Sequence, residues 1–120
     1  MKVKNGELFG LVDDLGHLVT EDIYLKDKNK AYLLLEHVKP FIDSFNKTKD
    51  EFVKKYGTGS KSKGYSISPQ KWEKLSEDAK KEWKDLNEQE HEIESKLEME
   101  IVEGIKSKHE YQWLLLVLRR

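Results

Sequence analysis

A stripe of apolar residues between Asn29 and Gly57 constrains this chain more than any other feature. Asn29 is a suitable N-cap and Gly57 can close the last turn in a left-handed conformation, so the pattern predicts a helix over residues 29–56. Because Pro40 lacks an amide donor, we expect this helix to kink near residues 36–40. The members of the stripe recur every three or four residues, with one interruption at Thr48 and Lys49, and so share one face; they are Ala31, Leu34, Val38, Phe41, Phe45, Phe52 and Tyr56.

Three further helices and one loop are predicted around this long helix. An amphipathic pattern after Asn5, which we interpret as its N-cap, predicts a helix over residues 6–19. Ser68-Pro69 is a strong helix start and predicts a helix over residues 69–90, although Ser76 allows a bend within it. A last helix is predicted over residues 108–118. The glycine, serine and lysine-rich segment 57–64 predicts a solvated loop.

Packing should bring the apolar faces of these helices together. We expect the leucines of the first helix to cover the face that carries Ala31 to Phe45, together with Trp72 and Trp83 from the third helix. Gly10, inside the first helix, costs about 1 kcal/mol relative to alanine and therefore suggests a close approach by a neighbour.

Residues 92–102 carry two competing patterns. Apolar and charged residues alternate from Ile93 to Ile101, as in a strand with one buried face. Ile93, Leu97 and Ile101 also fit one face of a helix, and the intervening glutamates favour helix over strand. We favour a strand near residues 93–101 and keep a helix as the open alternative. The predicted fold is mainly α, with α+β as an alternative: a single domain over residues 1–120 around one long kinked helix, with room for a short two-stranded β element.

The amino-acid composition limits which cellular compartment and which classes of partner we expect for the protein. Charged residues make up 38% and apolar residues 37% of the chain, which predicts a thin core. The formal charge of −1 does not favour nucleic acid overall. The absence of cysteine excludes disulfides and favours a reducing compartment. No stretch resembles a signal peptide or a membrane span, so we expect a cytoplasmic protein without membrane contact.

Catalytic and metal-binding patterns are not found in the sequence. The four histidines lack the four-residue spacing of paired metal ligands, and the carboxylates occur in solvated runs with no apolar pocket to shift a pKa. These observations predict a protein that is not an enzyme and that has neither a cofactor nor a metal site.

The only basic cluster lies at the end of the long helix and in the loop after it. Its lysines are interleaved with Tyr56 and Tyr65, an arrangement that can track a phosphate backbone. A solvated helix end is the alternative, since lysine also suits the negative end of the helix dipole. The candidate nucleic-acid contacts are Lys54, Lys55, Lys61 and Lys63.

The apolar block from Trp113 to Leu118 has no polar side for nearly two helical turns. Such a helix is either central to a core or part of an interface. Interfaces favour a tryptophan anchor with aliphatic neighbours and flanking arginines, which predicts binding to a protein partner or homodimerisation. The candidate partner-binding residues are Trp113, Leu115, Leu116, Arg119 and Arg120.

The order of segments resembles a known family. KNGELFGLVDDLGHL opens the chain, EFVKKYG ends the long helix, and WKDLNEQEHEIE precedes the terminal apolar helix. This order, over most of the chain, is similar to that of small proteins encoded by bacteriophages and prophages of Gram-positive bacteria. The resemblance implies a phage-encoded cytoplasmic protein. Our leading hypothesis is a non-enzymatic helical module that binds a larger host or phage protein, because phage proteins of this size commonly act as inhibitors of host defence or as assembly factors. That family has no settled activity, so the resemblance assigns no functional residue.

Overall fold

The long helix sets the dimensions of the molecule. In the computed structural model, which describes all of residues 1–120, this helix runs without interruption from Leu25 to Tyr56 and passes through Pro40. Its 32 residues span nearly the whole of the longest dimension, which is 49 Å. This agrees with a rise of about 1.5 Å per residue in an α-helix.

Shorter elements are arranged along this helix. The fold is mainly α, as predicted, and it has two small two-stranded antiparallel sheets where one short β element was expected. No helix combines the length and the hydropathy needed to cross a bilayer. In chain order the elements are β1 (Lys2–Lys4), a 3-10 turn (Asn5–Glu7), α1 (Leu8–Leu18), α2 (Leu25–Tyr56), β2 (Thr58–Ser60), β3 (Gly64–Ser66), α3 (Pro69–Glu73), α4 (Glu77–Glu88), β4 (Glu90–Glu92), α5 (Met99–Glu103) and α6 (Gln112–Leu118).

The core lies between α1, the first two-thirds of α2, and the last two helices. The predicted contact between the leucines of α1 and the stripe of α2 is confirmed. Phe41 is only half-buried and packs on the ring of His91, with the ring centroids 4.6 Å apart. The buried members of the core are Val3, Leu8, Leu11, Leu15, Leu18, Ala31, Leu34, Val38, Phe45, Ile93, Leu97, Val102, Tyr111, Leu114 and Val117.

The start of α2 and the conformation of Gly57 differ from the prediction, whereas the last helical residue, Tyr56, agrees with it. The helix begins four residues before Asn29, and Asp27 in its first turn is buried where the helix dipole favours a negative charge. The N–H of Gly57 donates the last helical hydrogen bond, to Val53 O at 2.7 Å. The helix ends there because the Gly57 backbone is extended, not left-handed as predicted. Glycine is needed there because a Cβ would lie 2.4 Å from Ser66 O.

The helix predicted over residues 69–90 is two helices joined at a bend. Ser68 accepts a hydrogen bond from Lys71 N at 3.1 Å, and Ser76 accepts one from Ala79 N at 3.1 Å. Each serine therefore caps its own helix. In a continuous helix, the amide of Ala79 would donate to a carbonyl one turn earlier. The Ser76 side chain accepts that hydrogen bond instead, so a new helix can begin there.

One β-hairpin and one strand pair between segments distant in the sequence lie in or beside the segments that were predicted as loop or ambiguous. Most of the predicted loop 57–64 is a β-hairpin, in which β2 pairs with β3 around a turn at residues 61–63. The strand favoured over residues 93–101 is not found: β4 ends at Glu92, residues 93–98 have no regular secondary structure, and α5 begins at Met99. The partner of β4 is β1, with Val3 opposite His91.

Asn5 is not an N-cap. Its side chain donates to Leu86 O at 2.8 Å and accepts a bond from His91 Nε2 at 2.7 Å, and so it joins the start of the chain to the end of α4 and to β4. A buried amide of this kind must find partners, and these lie far away in the sequence. The first α-helix accordingly begins at Leu8, two residues after the predicted start.

Candidate functional site

The C-terminal helix is held to α1 by one buried carboxylate. Asp14 Oδ2 accepts hydrogen bonds from Trp113 N at 3.0 Å and from Leu114 N at 2.9 Å, and Asp14 Oδ1 accepts one from His109 Nε2 at 2.8 Å. The unpaired amides of a helix N-terminus are thus satisfied by a side chain from α1. This arrangement explains why α6 begins at Gln112 and not at residue 108 as predicted.

The predicted partner-binding residues of α6 have different surroundings. Trp113 is 37% exposed and Leu116 is 42% exposed, whereas Leu115 packs against the core. Arg119 lies 3.5 Å from Glu103, and Arg120 forms a two-pronged ion pair with Glu7. The structure therefore leaves free apolar surface at Trp113 and Leu116, while Leu115 and Arg120 have partners within the chain.

Arg120 also affects the ionisation of its partner. Burial opposes the charged form of Glu7, but the hydrogen bonds from Arg120 and from Lys4 N outweigh it, so the pKa of Glu7 is lowered. Lys4 N donates to Glu7 Oε1 at 2.8 Å, and Arg120 Nη1 donates to the same oxygen at 2.6 Å. This ion pair ties the end of the chain to the turn before α1.

Trp113 and Leu116 of α6 and Phe9 of α1 are exposed apolar residues on two helices that pack together. The indole of Trp113 lies over Gly10, where a Cβ would approach the ring to 2.5 Å; this accounts for the glycine inside α1. Phe9, next to Gly10, is 46% exposed. Lys49 Nζ lies 4.4 Å from the centroid of the Phe9 ring, so the edge of this surface is cationic. We call Phe9, Trp113 and Leu116 the α1/α6 face.

A second apolar surface is concave and lies at the far end of α2. The bend at Ser76 lets Trp72 of α3 and Trp83 of α4 converge on Phe52, with ring centroids 6.4 Å and 5.0 Å from that of Phe52. The centroids of the two tryptophans lie 6.0 Å apart, and the rings meet edge to face, an arrangement that aromatic pairs prefer. The tryptophans therefore pack on the distal part of α2, and not on the face that carries Ala31 to Phe45 as predicted.

These rings form the wall of an open groove of about 490 Å³, here called the tryptophan groove. Ile67 and Pro69 also line the groove, and Glu73 is the one charged residue in its lining. The sequence pattern does not predict this groove, because the groove depends on the bend that separates Trp72 from Trp83. The Ser76-Glu77-Asp78 helix start was the available signal. The complete lining is Phe52, Val53, Ile67, Pro69, Trp72, Glu73 and Trp83.

The candidate lysines do not form one cluster. Lys54 and Lys61 line a depression of about 480 Å³ with Tyr65, and Asp50 shares it. Lys55 lies apart from them, beside Glu82 at 3.4 Å. A hydrogen bond from Tyr56 is the main cause that lowers the pKa of the Glu82 carboxyl.

Comparisons with known proteins identify no relative. No protein-family model matches the sequence, and no significant match is found among curated proteins or among solved structures. Function must therefore be argued from the surfaces of this chain.

Proposed function

We propose that this protein is a non-enzymatic, bacteriophage-encoded module that binds a larger host or phage protein, as an inhibitor of host defence or as an assembly factor. The phage origin rests on the resemblance in segment order. The binding role rests on one observation, the tryptophan groove, in which two tryptophans and a phenylalanine surround an open apolar concavity.

Such a groove suits a protein segment with apolar side chains. Tryptophan is strongly enriched among the residues that dominate binding energy, since a large rigid ring buries much area at little entropic cost. Trp72 and Trp83 are half-buried, so their rings are already positioned by contact with Phe52 before any partner arrives. Preorganisation of this kind reduces the ordering cost of association.

The charge at the groove indicates which type of residue lies beside the apolar segment that occupies it. Glu73 lines the groove, and no basic residue shares the lining. A carboxylate at the rim of an apolar site favours lysine or arginine on the partner. The proposed occupant is therefore an apolar segment of a larger protein with a basic residue beside it. The α1/α6 face, including the predicted contacts Trp113 and Leu116, would supply a further contact with the same partner.

Single glutamate substitutions test the proposal. After capture from host lysate, the retained protein would be identified by mass spectrometry, purified, and titrated calorimetrically against wild type and variants. We expect Ile67→Glu to weaken binding by a factor of about 30 or more, because it removes an apolar contact and would bury a charged carboxylate against the apolar segment of the partner. Leu116→Glu should weaken binding less, by removing one apolar contact. Leu33→Glu is the matched control, since Leu33 is an exposed leucine of α2 outside both surfaces.

Circular dichroism and analytical ultracentrifugation complete the experiment. All three variants should keep the wild-type helical content, whereas Leu115→Glu should lose it because Leu115 packs against the core. Equal affinity of wild type and Ile67→Glu for the purified partner would contradict the proposal. A wild-type dimer that Leu116→Glu converts to monomers would instead assign the α1/α6 face to a second copy of the chain.

Nucleic-acid contact is the second candidate function, favoured by the depression that brings Lys54, Lys61 and Tyr65 together. We expect Lys54→Gln with Lys61→Gln to remove binding to single-stranded DNA or RNA, and the affinity of wild type to fall steeply with salt. Lys55→Gln with Lys63→Gln is the matched control, because neither residue lines the depression. The absence of a mobility shift with any nucleic acid at low salt would exclude this function.

A further inference from the structure

Two histidines from opposite ends of the chain meet on the surface of α1. His17 lies in the last turn of α1, and His109 lies in the segment before α6. Their rings stack with centroids 3.8 Å apart and an interplanar angle of 15°. Asp13 lies one turn before His17, with its Oδ1 3.9 Å from His17 Nε2. One ligand atom from each of Asp13, His17 and His109 lies within 4.8 Å of the other two.

The hydrogen bonding of His109 matches that of a metal-binding imidazole. Its Nε2 faces Asp14 Oδ1 at 2.8 Å, so the carboxylate holds the tautomer with the proton on Nε2. That tautomer leaves a lone pair on Nδ1, the form in which imidazole binds a cation. In metal-binding histidines, the ring nitrogen that does not bind the metal usually donates its N–H to a hydrogen-bond acceptor such as a carboxylate, as it does here. Asp14 is 2% exposed and is itself held by two amides of α6, so its position is well determined.

From this geometry we infer that Asp13, His17 and His109 bind one divalent transition-metal ion. Two imidazoles and one carboxylate suit Zn²⁺ or Co²⁺ and do not suit Mg²⁺ or Ca²⁺, which prefer oxygen ligands. Three protein ligands leave at least one coordination position for water. The ion would join α1 to the segment that leads into α6, beside the carboxylate that already connects them.

The side chains must move a short way to bind the ion. The three ligand atoms lie up to 4.8 Å apart, and the ligands of a tetrahedral zinc lie closer to one another than that, since each is bonded to the same ion. The nearly parallel rings also require a rotation of His17. The side chains of His17 and Asp13 are 50% and 69% exposed, and both can turn without disturbing the core. His109 keeps its place because Asp14 holds it.

Cobalt binding by the tag-free full-length protein tests the inference. After treatment with a chelator, the protein would be titrated with Co²⁺ by visible absorption and with Zn²⁺ by calorimetry. We expect one ion per chain, Co²⁺ absorption bands typical of low coordination number, and a higher Tm with Zn²⁺. His17→Ala and Asp13→Asn should each weaken binding by about tenfold or more, because each removes a ligand. Both should leave the Tm without metal nearly unchanged, since both residues are exposed.

His37→Ala is the matched control, because His37 lies on α2 and its Nδ1 contacts Glu94 O instead. It should bind both ions as wild type does. Binding that is absent at millimolar Co²⁺ and Zn²⁺, or that His17→Ala leaves unchanged, would overturn the inference. A loss in His37→Ala equal to that in His17→Ala would show scattered surface binding and would overturn it too.

Discussion

Replacing Asp14 by alanine is expected to lower the free energy of unfolding by about 3–5 kcal/mol, the range seen when one partner of a buried charged network is removed. The Asp14 carboxylate satisfies Trp113 N, Leu114 N and His109 Nε2, and alanine would leave all three donors without it. Each buried donor that loses its partner costs about 1–3 kcal/mol. Urea denaturation followed by circular dichroism measures the loss.

Two control variants show how much of the stability loss comes from the hydrogen bonds of Asp14, and how much comes from its charge or from its position on α1. Asp14→Asn keeps one acceptor oxygen of similar shape, so its cost should lie between that of alanine and zero. Asp13→Asn changes the neighbouring carboxylate, which is 69% exposed, and should change stability by about 0.5 kcal/mol or less. A loss below about 1 kcal/mol for Asp14→Ala would show that α6 does not depend on this carboxylate.

Truncation of Leu34 to alanine is expected to cost about 2–5 kcal/mol. Leu34 is 1% exposed and belongs to the face of α2 that packs against α1. Its removal forfeits the transfer free energy of the buried side chain and leaves a cavity that a close-packed interior fills only in part. Thermal and urea unfolding of the variant measure the effect.

The neighbouring leucine provides the matched control on the same helix. Leu33 is 40% exposed. Leu33→Ala should therefore cost less than about 1 kcal/mol, partly offset by the higher helix propensity of alanine. Phe41→Ala should cost less than truncation of a fully buried phenylalanine, because Phe41 is half-buried. Equal losses for Leu33→Ala and Leu34→Ala would contradict the described orientation of α2.

These stability changes bear on the proposed function because the core and the tryptophan groove lie at different ends of α2. Leu34 packs near α1, whereas Phe52 supports the groove. A variant such as Ile67→Glu changes a half-buried groove residue that does not belong to the core cluster. Such a variant can therefore lose binding while the protein keeps its stability. That result distinguishes a residue that contacts the partner from a residue that supports the fold.

Periodicity and capping chemistry predicted the long helix and the start of α3. The three- and four-residue spacing from Ala31 to Phe45 predicted α2 and its buried face, because the turn of an α-helix places residues at this spacing on one side. Ser68-Pro69 predicted the start of α3, since a serine hydroxyl followed by proline satisfies the first turn locally. These signals act within a few residues, so a single sequence displays them.

Contacts between segments that are distant in the sequence determined the remaining features of the fold and of the candidate sites. The role of Asn5 depends on Leu86 and His91, and the start of α6 depends on Asp14; no local pattern contains those pairs. The same holds for Trp113 over Gly10 and for His17 stacked on His109. Local propensities favour a helix or a turn but do not say which surfaces meet. The groove and the histidine cluster therefore exist only where the folded chain brings their residues together.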